Sequence, residues 1–230
     1  MKTIKLTQKQ KIIGISLLIL IIIFSSFFVY LLTKNTASSP QIISSQYNHA
    51  IDIENKSELS GFVDYIFIGK IEEKTGSITE SEFRMETITG YEYVEIPATK
   101  YSVSVLENIK GELRTDGAIE ILKSGGLTDD GKYLFLEDGD FILKTGDICI
   151  FFATVREDGT LYIQGKEFNL KLDEVAYNQT YTKNNISKME DLLEEIKKSE
   201  IYQEIRKSYE NEIVFERERF TISEEYTQIY

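Results

Sequence analysis

The stretch that decides the fold is Phe62-Val63-Asp64-Tyr65-Ile66-Phe67-Ile68-Gly69-Lys70-Ile71. It is dense in β-branched and aromatic residues and reads as a strand. Gly69 inside it marks a bulge or tight bend, the device by which barrels turn corners. The pattern repeats downstream. Tyr91 to Leu106 is a second long strand region, alternating strictly over Tyr101-Ser102-Val103-Ser104-Val105, with an edge or break at Pro97. Asn108-Ile109-Lys110-Gly111 reads as a turn. Ala118 to Leu122 is a third strand, stopped by Gly125-Gly126. Tyr133 to Leu136 is a short fourth, stopped by Glu137-Asp138-Gly139-Asp140. Ile148 to Val155 is the most apolar strand and is expected at the centre of the sheet. Asp158-Gly159 supplies a hairpin turn into Thr160 to Ile163. Five to seven short strands separated by glycine turns predict a small barrel or sandwich.

The flanks differ in character. The polar stretch 72–90, with Gly76 and Gly90, reads as a long connection. Residues 34–60 read as a polar spacer, with His49 as a free surface imidazole. Toward the C-terminus the period returns to 3.6. Ser187-Lys188-Met189-Glu190 is a capping box. Met189, Leu192, Leu193, Ile196, Ile201 and Ile205 then form an apolar stripe, predicting a helix over 186–211 with a kink near Ser199 that packs on the β-domain. The tail, 212–230, reads as either an extra strand or a mobile end.

The N-terminus carries the sharpest signal. Residues 1–11 hold Lys2, Lys5, Lys9 and Lys11 and no acid, and form a basic stub. An uncharged apolar run follows from Ile12 to Leu32, broken only by Gly14, Ser16, Ser25 and Ser26. At ~1.5 Å per residue such a run matches a hydrocarbon core about 30 Å thick. Residues 12–33 are therefore read as one transmembrane helix. The lysines before it place the stub in the cytoplasm and the C-terminal domain outside the cell membrane. The run exceeds the ~7–15 apolar residues of a cleaved signal peptide and lacks a clean small-x-small site after it, so it is read as an uncleaved anchor.

Charge and side-chain inventory narrow the chemistry. Residues 1–34 contain five lysines; removing them from the 26 Lys and Arg leaves 21 bases against 38 acids, a net of −17. So acidic a domain repels phosphate backbones, which argues against nucleic acid as a partner. One histidine excludes a multi-histidine metal site, and the lone Cys149 excludes an intrachain disulfide. Cys149 lies between Ile148 and Ile150, where a thiol behaves as a small hydrophobe, not a nucleophile. No phosphate loop, dinucleotide fingerprint or serine elbow is present. Asp129, Asp130, Asp138 and Asp140 flank the short strand 133–136 and are the candidate Ca²⁺ ligands, although Asp-Gly pairs are also ordinary turn chemistry. Three Asn-x-Ser/Thr triplets, at Asn55, Asn178 and Asn185, are read as chance matches.

The first strand, the pair Tyr101 to Leu106 with Glu107-Asn108-Ile109-Lys110-Gly111, and Leu143-Lys144-x-Gly146-Asp147 before an apolar strand form one pattern. Over about residues 60–165 it resembles the OB-fold, TIMP-like (netrin-like) domains of bacterial cell-surface proteins. That resemblance implies a fold more than an activity. The animal inhibitors of this kind chelate a protease zinc through an N-terminal cysteine, and this chain has no cysteine there, so that mechanism does not carry over.

The expectation is a mainly β protein: a small OB-like β-barrel over 61–175 with a C-terminal α-helix, preceded by one transmembrane helix. It is expected to bind a protein or another ligand at the cell surface, without a cofactor and without catalysis. The contact regions are expected at 72–90 and 125–140, because binding residues favour loops on a rigid scaffold. The alternatives are an enzyme using paired carboxylates on surface glycans and a Ca²⁺-stabilised structural module.

Overall fold

The structure is a computed structural model that describes residues 39–45, 48–172 and 189–227, together with residues 9, 16, 18, 20–26 and 28 near the N-terminus. The chain divides into two units, residues 1–39 and 40–230. In the first, the described residues other than Ser39 are helical. Most of the basic stub and part of the expected span 12–33 lie outside the described residues. Among the described residues, no helix is long and apolar enough to cross a membrane.

The second unit is mainly β. Its elements are β1 (Gln41–Ser45), α1 (Lys56–Phe62), β2 (Tyr65–Thr87), β3 (Gly90–Lys110), β4 (Ala118–Ser124), β5 (Gly126–Leu127), β6 (Tyr133–Glu137), β7 (Ile148–Val155), β8 (Leu161–Ile163), β9 (Asn169–Lys171), α2 (Met189–Lys198) and α3 (Glu200–Glu210). β2, β3 and β4 form an antiparallel meander. β4 then pairs in parallel with β8, β8 antiparallel with β7, and β7 antiparallel with β2. The pairings thus run round a ring of five strands. The expected small OB-like barrel is corrected to a closely packed sheet ring that does not close into a barrel. The thin part is β8, three residues long and joined to β7 through two residue pairs.

All eight residues of β7 are buried, as the apolar run Ile148 to Ala153 demands of a strand with neighbours on both sides. Around it the core gathers Ile66, Phe67, Ile68, Tyr101, Val103 and Ile121. At Gly69 the register of β2 slips against β3, and a Cβ there would sit 2.6 Å from Val103 Cγ1. The glycine therefore lets two strands approach where the ring bends. Gly159 has φ +83° in the β7–β8 turn, the left-handed conformation that Asp-Gly supplies.

Three readings outside the ring need correction first. The spacer 34–60 holds β1, which pairs in parallel with β6, and most of α1, which is capped by Asn55 and buries Leu59. Asn55 Oδ1 accepts N–H bonds from Ser57 and Glu58, and its amide donates back to Glu58 Oε1, a reciprocal cap. His49 is not a free surface group: its side chain is 12% exposed, its ring centroid lies 5.6 Å from that of Phe168, and Nε2 is 3.5 Å from Glu137 Oε1. The connection 72–90 is not a loop, because β2 continues through it paired to β3 as far as Thr87 and Gly90. Its serines and threonines suit a pleated ribbon wetted on one face, so polarity there did not signal irregular backbone.

The expected C-terminal helix is two helices broken at Ser199, whose hydroxyl caps α3 by accepting from Tyr202 N–H. Ile196, Tyr202 and Ile205 pack into the core cluster. Ser187, Asn178 and Asn185 lie outside the described residues. The tail is neither a strand nor loose: it runs over α1, where Ile213 N–H donates to Ser57 O, past the β7–β8 turn, where Ser223 N–H donates to Gly159 O, and it buries Tyr226.

Candidate binding surface

Beyond the ring, β2 from Thr79 to Thr87 and β3 from Gly90 to Pro97 pair with each other and form a two-stranded arm. Residues directly opposite in an antiparallel pair share a face. Arg84 opposes Tyr93 and Glu86 opposes Tyr91, so these four make one face. Phe83 opposes Val94 and Met85 opposes Glu92, which makes the other. The second face lies on the small sheet β1-β6-β5. Phe83 meets Phe135 edge to face with centroids 5.7 Å apart, Tyr133 Oη donates to Glu92 Oε2 at 3.3 Å, and Val94 is buried. The first face is wet. Tyr91 and Tyr93 are 62% and 70% exposed, Ile88 at the tip is fully exposed, and the Arg84 guanidinium sits 4.3 Å over the Tyr91 ring.

The arm is fixed at its base. Glu80 accepts from Arg156 Nη1 at 2.6 Å and from Tyr162 Oη at 2.9 Å, which ties the arm to the β7–β8 turn. Ser77 Oγ donates to Asp129 Oδ1 at 3.4 Å. The segments read as contact regions, 72–90 and 125–140, are thus brought together on one side of the molecule. The sequence did not flag Tyr91, Tyr93 and Arg84 as a set. Their alternation was visible, but the face it would leave exposed was not.

The four candidate Ca²⁺ ligands do not converge. Asp130 accepts from Thr128 Oγ1 at 2.7 Å and from Lys132 N–H at 3.0 Å, and it pairs with Lys132 Nζ at 2.9 Å. Those bonds, led by the one from Lys132, hold its carboxyl at about 2. Asp129 faces Ser77, and Asp138 lies exposed in a turn. Asp140 turns inward onto Lys123. Among the described residues, no three His, Cys, Asp or Glu side chains are placed to hold a metal ion. Cys149 is buried in β7 opposite Gly69 and Lys171, as expected of a packing thiol. A shallow hollow of about 810 Å³ beside α3 holds two acids, Glu107 and Glu210, and Lys197 occupies Glu107 at 3.1 Å.

The sequence also missed Lys123. It ends an apolar strand and looks like a solvent-facing terminus, yet its side chain is 2% exposed. Burial pushes its ammonium pKa down, against the opposing pull of Asp140. Comparison with models of protein families and with curated proteins gives no match.

Proposed function

We propose that this chain is a membrane-anchored binding module whose docking surface is the outer face of the arm, and that its partner is a protein at the cell surface. The observation that carries this reading is the convergence of the two contact regions behind an exposed Tyr91–Tyr93–Arg84 face. Aromatic residues and arginine dominate the energetics of protein interfaces. Here they stand on a ribbon held at its base, so little ordering cost falls on binding.

An OB-like ring supports the same reading. In ring order the strands run first, second, third, fifth, fourth and back to the first, with the third and fifth parallel. That is the Greek-key arrangement of an OB barrel, which binds through its first and fourth connections. In this chain the first connection is the arm, and Glu80 links it to the fourth. Anchoring rests on the apolar run 12–32 and the lysines before it. Among the described helical residues there, Leu18, Ile21, Phe24 and Phe28 leave more than half of their surface open. The hydroxyls of Ser25 and Ser26 donate to the carbonyls of Ile22 and Ile23, so neither of these two hydroxyls needs water.

A photo-crosslinking residue placed at Tyr91 or Tyr93 in the full-length protein in intact cells tests the proposal. A discrete protein adduct at both positions, absent when the probe replaces Glu73, is expected. Adducts equally frequent at all three positions, or at none, refute the arm as the docking surface.

A further inference from the structure

We propose that Lys123 and Asp140 condense into an intramolecular isopeptide bond, Nζ to Cγ, which welds the end of β4 to the segment leading into β7. The two side chains are 2% and 1% exposed, and Lys123 Nζ contacts Asp140 Oδ2 directly. The other carboxylate oxygen, Oδ1, accepts from the Phe141 backbone N–H at 2.8 Å and from Asn169 Nδ2 at 3.3 Å. Two fixed N–H donors on one oxygen, with an amine against the other, are the parts of an acyl-transfer site. Attack on Cγ places the new negative charge on Oδ1, where the donors already wait.

The surroundings suit the reaction. Lys123 sits between Thr99 and Ile163 in the sheet, and its burial favours the neutral amine, which is the nucleophile. Asn169 is held in place by donating to Gly165 O at 2.5 Å. Glu137 stands on the same turn as Asp140, its backbone O accepting from Asp140 N–H at 2.9 Å, and its carboxylate accepts from Lys166 N–H at 2.8 Å, next to the Gly165 that holds Asn169. It serves as the proton carrier.

The balance is complete without a co-reactant. The buried ammonium gives up two protons. The nitrogen lone pair forms the N–Cγ bond, the Cγ–Oδ2 bond breaks, and Oδ2 leaves with both protons as water. Glu137 takes and returns a proton and ends unchanged, and nothing is oxidised or reduced. The bond closes residues 124–139, which include β5 and β6, into a covalent loop. With one cysteine in the chain, no intrachain disulfide can do this.

Intact-mass spectrometry of the purified full-length protein, held folded overnight, tests the proposal. The expected mass is one water below that of the sequence, with proteolysis yielding a branched peptide joining Lys123 to Asp140. Asp-Gly sites also lose water by forming succinimide, so Lys123→Gln is the control. The folded wild-type protein at full sequence mass, or a water loss that persists in Lys123→Gln, overturns the bond. Glu137→Gln is expected to slow the mass loss at least tenfold while leaving the melting transition cooperative. An unchanged rate in that variant removes Glu137 from the mechanism.

Discussion

Asp64→Asn probes the joint that fastens the tail to the ring. Asp64 is 10% exposed and accepts three hydrogen bonds: from Val155 N–H at 2.8 Å, from Arg217 Nη2 at 2.5 Å and from Arg219 Nη1 at 2.6 Å. Bonds to a charged group contribute roughly 1.5–3 kcal/mol each. The Arg219 side chain is 36% exposed, so solvent discounts its share. Asparagine keeps one acceptor for Val155 but turns an N–H toward a guanidinium. The arginines retain backbone partners, Arg217 on Phe62 O and Arg219 on Gly61 O, which limits the damage. The net loss is about 3 kcal/mol. For a unit of this size that is a fall in Tm of roughly 6–12 °C. Calorimetry of the full-length protein in detergent measures it. Trypsin supplies a second readout, since Arg217 and Arg219 are cleavage sites that the clamp shields. Asp64→Asn should accelerate cleavage there before other sites open. A double-mutant cycle should couple Asp64 more strongly to Arg217, which is 15% exposed, than to Arg219. An unchanged Tm together with unchanged cleavage after Arg217 and Arg219 refutes the clamp.

Four further outcomes are expected. Gly61→Ala sets a Cβ 2.0 Å from Ile213 O, a backbone atom that cannot swing aside; it should cost about 1–3 kcal/mol by forcing the tail off α1, read by denaturant midpoint. Asp130 has its carboxyl held at about 2, below its ordinary 3.8, so the stability it contributes is full above the unfolded value and is lost as pH falls through the folded one. Its side-chain NMR titration should therefore bend near 2, and a midpoint near 3.8 contradicts the Thr128–Lys132 turn. Cys149 should resist a thiol reagent in the native protein and react fully in denaturant, because it is buried in β7. Tyr91→Ala and Tyr93→Ala should each change stability by no more than about 0.5 kcal/mol, as exposed positions do, yet sharply reduce the crosslinked adduct.

What the sequence made legible was whatever depends on neighbours a few residues away. β7 was legible because six consecutive apolar residues, Ile148 to Ala153, suit a strand buried on both faces, and the break at Ser199 because a serine interrupts the apolar stripe. α1 carried a legible signal that length concealed: Asn55 and Glu58 are spaced as a reciprocal cap, but seven residues are too few for a 3.6-residue period to show. β1 had no local signal at all. Its partner β6 lies some 90 residues away, and a short parallel pairing depends on the whole fold to bring the two together. The inward turns of Lys123 and Asp140 were hidden for a similar reason. Charged residues beside glycine turns are nearly always solvated, and the residue that meets Asp140 here, Asn169, comes from β9, 29 residues further along the chain. The tail looked disposable because its arginines matched no period; their partner is a single carboxylate about 155 residues earlier.

β2 explains why one small unit can hold a ring and also display an arm. A straight strand of its 23 residues would run about 76 Å at ~3.3 Å each, far beyond the width of a small ring. Five register shifts against β3 bend it instead, at Ile66/Phe67, Ile68/Gly69, Ile71/Glu73, Lys74/Gly76 and Thr79/Ser81. Just before its first residue, Asp64 is clamped by the tail, and from Tyr65 to Lys70 the strand is held by β7. Its last part leaves the ring after the Thr79/Ser81 shift, where Glu80 turns to meet Arg156 and Tyr162. The bend that ends the ring is therefore the bend that aims the arm. Loosening Glu80 should leave Tyr91 and Tyr93 chemically intact but free to swing, so Glu80→Gln should weaken partner capture while leaving the tyrosines as exposed as before. Loss of capture in that variant without loss of fold would separate aiming from contact. Full capture would show that the tyrosine face binds without being held.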